Sequence, residues 1–157
     1  MAELRTMFER AGARAVRTLL ASGNVLFAAD NVGDCVARVA VALSKHTGKP
    51  MAVMVRSLAQ LRSLVASAPF GAGAPTPDEV WYVSFLDRAP TPRPTLPLTV
   101  RTGDVTYVAL RDLDLCGRVT RQPGKPSTEH YAPEALFKVS ATTRNWNTIL
   151  KLIAEKR

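Results

Sequence analysis

Apolar side chains recur along this chain with two periods, one near 3.6 residues and one near 2, and the switches between them mark its elements. Leu4, Met7, Phe8 and Ala11 stand at i, i+3, i+4 and i+7, which predicts an amphipathic helix over the first dozen residues, closed by Gly12 in a left-handed cap. Residues 15–20 and 25–29 are β-prone runs on either side of Ser22, Gly23 and Asn24, residue types that tolerate the positive φ of a tight turn. They are expected to pair antiparallel. Cys35, Val36, Val39, Ala40 and Leu43 mark one face of a second helix, ending near Lys45, His46 and Gly48, where cations suit the negative end of the helix dipole. Residues 51–55 read as a short strand after Pro50, and Leu58, Leu61, Leu64 and Val65 as a third helix.

Between Pro69 and Pro97 the pattern breaks, because seven of the eleven prolines fall there. Pro69, Gly71, Gly73, Pro75 and Pro77 predict a hinge over 69–79, dividing a first domain at 1–68 from a second at 80–157. Residues 80–86 are dense in aromatic and β-branched side chains and read as a strand; Val100 and residues 105–110 flank Thr102 and Gly103 as a hairpin. Prolines 90, 92, 94 and 97 disfavour a helix in between. Residues 112–130, rich in Arg, Gly and Pro, read as an irregular surface loop, and 133–137 as a short helix with Pro133 in its first turn. Trp146, Ile149, Leu150 and Ile153 give a terminal helix for which Thr142 or Thr143 is the expected cap.

Composition narrows the class. With 157 residues, 46% hydrophobic and 22% charged, the chain has ordinary globular proportions, which excludes a disordered tail, a fibrous repeat and a large multidomain enzyme. No apolar run approaches the roughly 18 residues of a membrane span, and the basic and acidic opening lacks the apolar core of a signal segment, so a cytoplasmic location is expected. Cys35 and Cys116 stand far apart without a CxxC partner, which predicts reduced thiols and no zinc site.

Three stretches together, MAELR at 1–5, VRTLLASGNVLF at 16–27 and SATTRNWNTILKL at 140–152, resemble the bacterial family called domain of unknown function 1697. The Thr-Thr-Arg-Asn-Trp run is the most specific piece. The resemblance spans essentially the whole chain and implies an α+β fold of two tandem ferredoxin-like α/β plaits in an intracellular protein. Members place a strand ending in a pattern like Arg-Gly-Ile-Asn-Val-Gly-Gly before the MAELR helix, whereas this sequence opens on the helix, so the first plait is expected to lack its opening strand through a late start codon or a shortened chain. That strand is central in a βαββαβ plait, and its loss strands backbone groups worth about 1–3 kcal/mol each where buried.

The resemblance brings architecture rather than chemistry, so candidate sites come from charge and spacing. Lysines and arginines number 21 against 13 carboxylates, a net charge of +8, with +4 over residues 1–57, zero over 58–110 and +4 over 111–157. An anionic ligand is the expected partner, nucleic acid among the options, and no membrane. The leading candidate is the start of the terminal helix: Thr142, Thr143, Arg144 and Asn145 would combine hydroxyls, open N–H groups and a guanidinium into an anion cradle. The alternative for Arg144 is an ion pair with Glu134 or Glu129. Arg118, Arg121 and Lys125 around Gly117, Pro123 and Gly124 would extend the cradle, although GxxxxGK[ST] is absent. His130 reads as plain surface or as an acid or base, Cys116 as a thiol activated by Arg118, Asp112 and Asp114 as paired carboxylates along a strand end, and Trp146 as a core anchor. No cofactor or metal is signalled. The reading is a noncatalytic binding module for a phosphate-bearing ligand, with a small transferase or hydrolase acting on a phosphorylated metabolite, or a protein-interaction module, as alternatives. Restoring an upstream strand is expected to raise the melting temperature; an unchanged value contradicts the missing-strand reading.

Overall fold

The computed structural model describes residues 2–19, 23–100, 103–121, 123–124 and 133–155. The chain is α+β, with two antiparallel sheets, and divides into compact units at 1–55 and 56–157. Among the described residues no helix is long and apolar enough to cross a membrane.

The first unit runs α1 (Ala2–Arg10), β1 (Arg14–Leu19), β2 (Asn24–Ala28) and α2 (Val32–Thr47). Gly12, at φ +94°, lets the chain leave α1 through a Schellman turn in which the Ala13 N–H donates to the Phe8 carbonyl at 3.0 Å. The strands pair antiparallel, Thr18 opposite Val25, with a bulge near Ala15. Asn31 caps α2 by accepting from the Asp34 N–H at 3.0 Å, and Gly48 ends it at φ +69°. Leu4 and Phe8 from α1, Val16, Val25 and Phe27 from the hairpin and Cys35, Val39 and Leu43 from α2 close the core, the Phe8 and Phe27 rings lying 4.9 Å apart. Residues 51–55, expected as a strand, join no ladder: this sheet contains β1 and β2, Val53 packs on the core, and the Met51 N–H donates to Ser44 Oγ. An apolar run becomes a strand only where a partner supplies the other half of the hydrogen bonds.

The second unit runs α3 (Leu58–Ala66), β3 (Glu79–Leu86), β4 (Leu98–Thr99), β5 (Val105–Arg111), β6 (Asp114–Thr120), α4 (Pro133–Phe137), β7 (Ala141–Asn145) and α5 (Trp146–Ala154). A capping box starts α3: Gln60 N–H donates to Ser57 Oγ, and Ser57 N–H to Gln60 Oε1. The sheet order is β4-β5-β6-β3-β7, every pairing antiparallel. A plait places a helix between its first two strands; here β3 leads through the proline segment into β4 and β5 with no helix between. The expected hinge at 69–79 lies inside this unit, where Phe70 stacks on Trp81 with ring centroids 4.6 Å apart and meets Trp146 edge-on at 5.0 Å. These ring contacts bind the segment to the sheet, so the units part ahead of α3 instead.

The largest correction is β6. Expected as irregular loop, residues 114–120 form the middle strand, because their alternation is split by chemistry. Leu115, Gly117 and Val119 face Leu86, Val105, Tyr107 and Leu110 in one core, where a Cβ on Gly117 would stand 3.2 Å from the Tyr107 ring. Asp114, Cys116 and Arg118 line the opposite face beside Phe85, Val83 and Trp81. Asp112 does not share their strand: it sits in the β5–β6 turn at φ +50°.

Burying Asp114 requires a counter-charge. Arg56 Nε donates to Asp114 Oδ1 at 2.6 Å and Nη2 to the carbonyls of Leu113 and Leu86 at 3.1 and 3.3 Å, while the guanidinium carbon lies 5.3 Å from the Phe85 ring centre. The side chains are 13% and 8% exposed, so water screens the pair little. Burial nevertheless raises the Asp114 carboxyl above the usual carboxylate range, outweighing the lowering by Arg56, and Asp112 adds to the rise. The folded chain therefore holds this proton to higher pH than the unfolded chain does, and the contribution of Asp114 to stability falls as pH rises from the ordinary carboxylate range through the raised value. Asp114→Asn should cost about 3 kcal/mol at neutral pH, because Arg56 is left buried without its anion. Arg56→Met removes the groups that hold the proton off, so its deficit in denaturant unfolding should be larger at about pH 7.5 than at about pH 4. A deficit independent of pH contradicts the assignment.

Candidate functional site

The terminal segment does not form the expected cradle. Thr142, Thr143 and Arg144 belong to strand β7, not to the first turn of a helix, and Asn145 is the cap of α5: its Oδ1 accepts from the Asn147 N–H at 2.9 Å. Strand geometry sends alternate residues to opposite faces. Thr142 pairs with Phe85 and Arg144 with Val83, whereas Thr143 pairs with Ser84 on the other face, their hydroxyl oxygens 2.7 Å apart. The Arg144 guanidinium folds back onto its own strand, donating to Thr142 Oγ1 at 2.6 Å and to the Thr143 carbonyl at 2.9 Å, and burial lowers its pKa. Two successive threonines are good strand formers, a preference that the downstream helical pattern obscured.

The basic loop is dispersed in the same way. Arg118 lies on β6 with its guanidinium 5.7 Å from the Trp81 ring centre, donates to the Phe70 carbonyl, and stands 3.8 Å from Glu79 Oε1. Arg121 follows β6, its N–H donating to the Asp78 carbonyl at 2.7 Å. Lys125, Glu129, His130 and Tyr131 lie outside the described residues. Cys116 is fully buried and its thiol is pushed up to about 12, by burial first and by the Asp114 charge second, the reverse of the expected activation. Among the described residues no group of three or more His, Cys, Asp or Glu is placed to hold a metal ion.

A different constellation emerges in the first unit, where side chains from α1 and α2 line one recess. Met7, Arg10 and Ala11 recur at i, i+3 and i+4; Arg38, Ala42, Lys45 and His46 recur at i, i+4, i+7 and i+8. Together they line an open recess of about 450 Å³. Its floor is apolar: Ala11 is buried, and Met7 and Ala42 are half-buried. Its walls carry the exposed side chains of Arg10, Arg38, Lys45 and His46.

Three of these side chains, Arg10, Arg38 and Lys45, have no counter-ion among the described residues, where the carboxylates of the unit lie against other groups. Glu9 takes Arg5 Nε at 2.8 Å, Asp30 takes Arg14 through two contacts at 2.6 and 2.8 Å, and Asp34 takes the Asn31 amide at 2.8 Å. Glu3 Oε2 lies 3.5 Å from His46 Nε2 at the margin of the recess. Arg10, Arg38 and Lys45 have no hydrogen-bond or ion-pair partner among the described residues. A hydrophobicity pattern did not disclose this grouping, since it requires two helices and two spacings to be superposed. The signal available was the bias of α2, whose cations fall on one flank of its apolar stripe.

The class is thus a basic α+β protein of two compact units whose described recess is lined by cations. The chain belongs to the family described as a protein of unknown function, DUF1697, which matches residues 1–113. The stretches at 1–5 and 16–27 fall within that match; the one at 140–152 falls outside it, so the shown coverage is shorter than the whole chain. No curated protein and no solved structure matches.

Because Asn145 Oδ1 accepts from the amide of Asn147 and caps α5, its loss is expected to destabilise the helix. Asn145→Ala should cost about 1 kcal/mol in thermal unfolding.

Proposed function

We propose that this protein is a noncatalytic binding module for a phosphate-bearing anion, held in the recess between α1 and α2. The observation that carries the reading is the group Arg10, Arg38 and Lys45, three cations around one cavity with their potential counter-ions committed elsewhere. Like charges so placed repel, and a bound anion relieves that repulsion while making charge-assisted hydrogen bonds. The arginines offer forked donors to phosphate oxygens; Lys45 and His46 add donors at the far end. Glu3 competes with the ligand for His46 and lowers the local potential. The net charge of +8 adds a field that draws anions to the surface and weakens with salt.

Titration calorimetry with inorganic pyrophosphate tests the reading. Arg38→Ala and Lys45→Ala should each weaken binding about two- to fivefold, the range expected when one solvent-exposed charged contact is lost. Arg144→Ala should leave affinity unchanged, and Glu3→Gln should strengthen it. Raising the salt about tenfold should reduce affinity steeply. Unaltered binding in the Arg38→Ala, Lys45→Ala double variant overturns the recess as the site. A mobility shift with single-stranded DNA at low salt that survives the same double variant would place nucleic-acid binding elsewhere.

A further inference from the structure

Resting on that reading, we infer that the natural ligand is an amphiphilic organic phosphate of nucleotide size, with its phosphates on the cationic wall and its organic part on the floor of the recess. Two features of the recess differ from what a bare inorganic anion needs. The floor of Met7, Ala11 and Ala42 offers no hydrogen-bond donor, and an inorganic ion would leave it against water. The cations are also spread rather than focused: Arg38 and Lys45 are seven residues apart on α2, about 10 Å along the axis at the helical rise, with Arg10 on the facing helix. That span suits two linked phosphates and an attached group better than a single phosphate.

Size points the same way. A volume of about 450 Å³ lies in the range of sites that take small molecules. A nucleic-acid strand is gripped in a different way, by aromatic side chains on which successive bases stack. The recess lining contains no Phe, Tyr or Trp, and His46 is turned toward Glu3; Phe8 and Phe27 lie in the core against each other. Met7 replaces such a platform with one flexible, polarisable thioether that adapts to a ring lying over it. At the margin, Glu3 and His46 present an acceptor and a donor within 3.5 Å of each other, the complement of sugar hydroxyls.

The matched pair adenosine diphosphate and pyrophosphate isolates the organic contribution, since both carry two linked phosphates. In titration calorimetry at one salt concentration, adenosine diphosphate should bind about tenfold tighter than pyrophosphate. Ala42→Leu fills the floor and should bring adenosine diphosphate to within about threefold of the affinity that the same variant has for pyrophosphate. Met7→Gln should narrow the gap to less than about threefold, with circular dichroism confirming that both variants fold. Equal affinities in the unaltered protein overturn the inference and leave the anion-binding reading intact; failure of both ligands to bind overturns the two together. Preference for a thymidine oligonucleotide over adenosine diphosphate also overturns it.

Discussion

The buried pair of Arg56 and Asp114 is the constraint on which the second unit depends. The middle strand of a five-stranded sheet is a costly place for a carboxylate, and Asp114 occupies it because a guanidinium meets it at 2.6 Å and is itself tied to two carbonyls at the end of β3 and the β5–β6 turn. One side chain just ahead of α3 thus fastens three segments far apart in sequence. It also leaves the opposite face of β6 free to be wholly apolar, where Leu115, Gly117 and Val119 complete the core under Tyr107. The same face that holds the pair carries Arg118 over Trp81, so charge and aromatic surface alternate along it.

The first unit distributes charge by the opposite rule. Its carboxylates are spent on exposed partners, Arg5, Arg14, the Asn31 amide and His46, and three of the cations left over, Arg10, Arg38 and Lys45, line one recess between α1 and α2. Buried pairing stabilises architecture; exposed surplus charge leaves a surface that an external anion can neutralise. The two ends of the chain contribute equally to the net charge, yet they differ in this respect. Two of the cations expected to form a cradle near the C-terminus are taken up by the protein: Arg144 by β7 and Arg118 by Phe70 and Trp81.

Elements with a strong period were legible. Leu4, Phe8 and Ala11, the Cys35 to Leu43 stripe and the Ile149 face each place apolar side chains on one side of a helix, and these helices formed. So did the hairpin around Gly23, whose strands pair as expected. The family was legible as well, from short stretches of unusual residues. Strands β6 and β7 were not, because Asp114, Arg118 and Arg144 are polar in sequence and acquire a strand environment only from partners distant in the chain. The recess was not legible either, since none of its residues is unusual alone.

By itself, then, the sequence determined the local periodicities, the helix ends at Gly12 and Gly48, the excess of positive charge and the family. Only the tertiary structure decided which charges are neutralised. Periodicity is a property of neighbours a few residues apart, whereas neutralisation depends on which carboxylate lies within reach in space, and across the sequence separation of 58 from Arg56 to Asp114 nothing short of the folded chain supplies that distance.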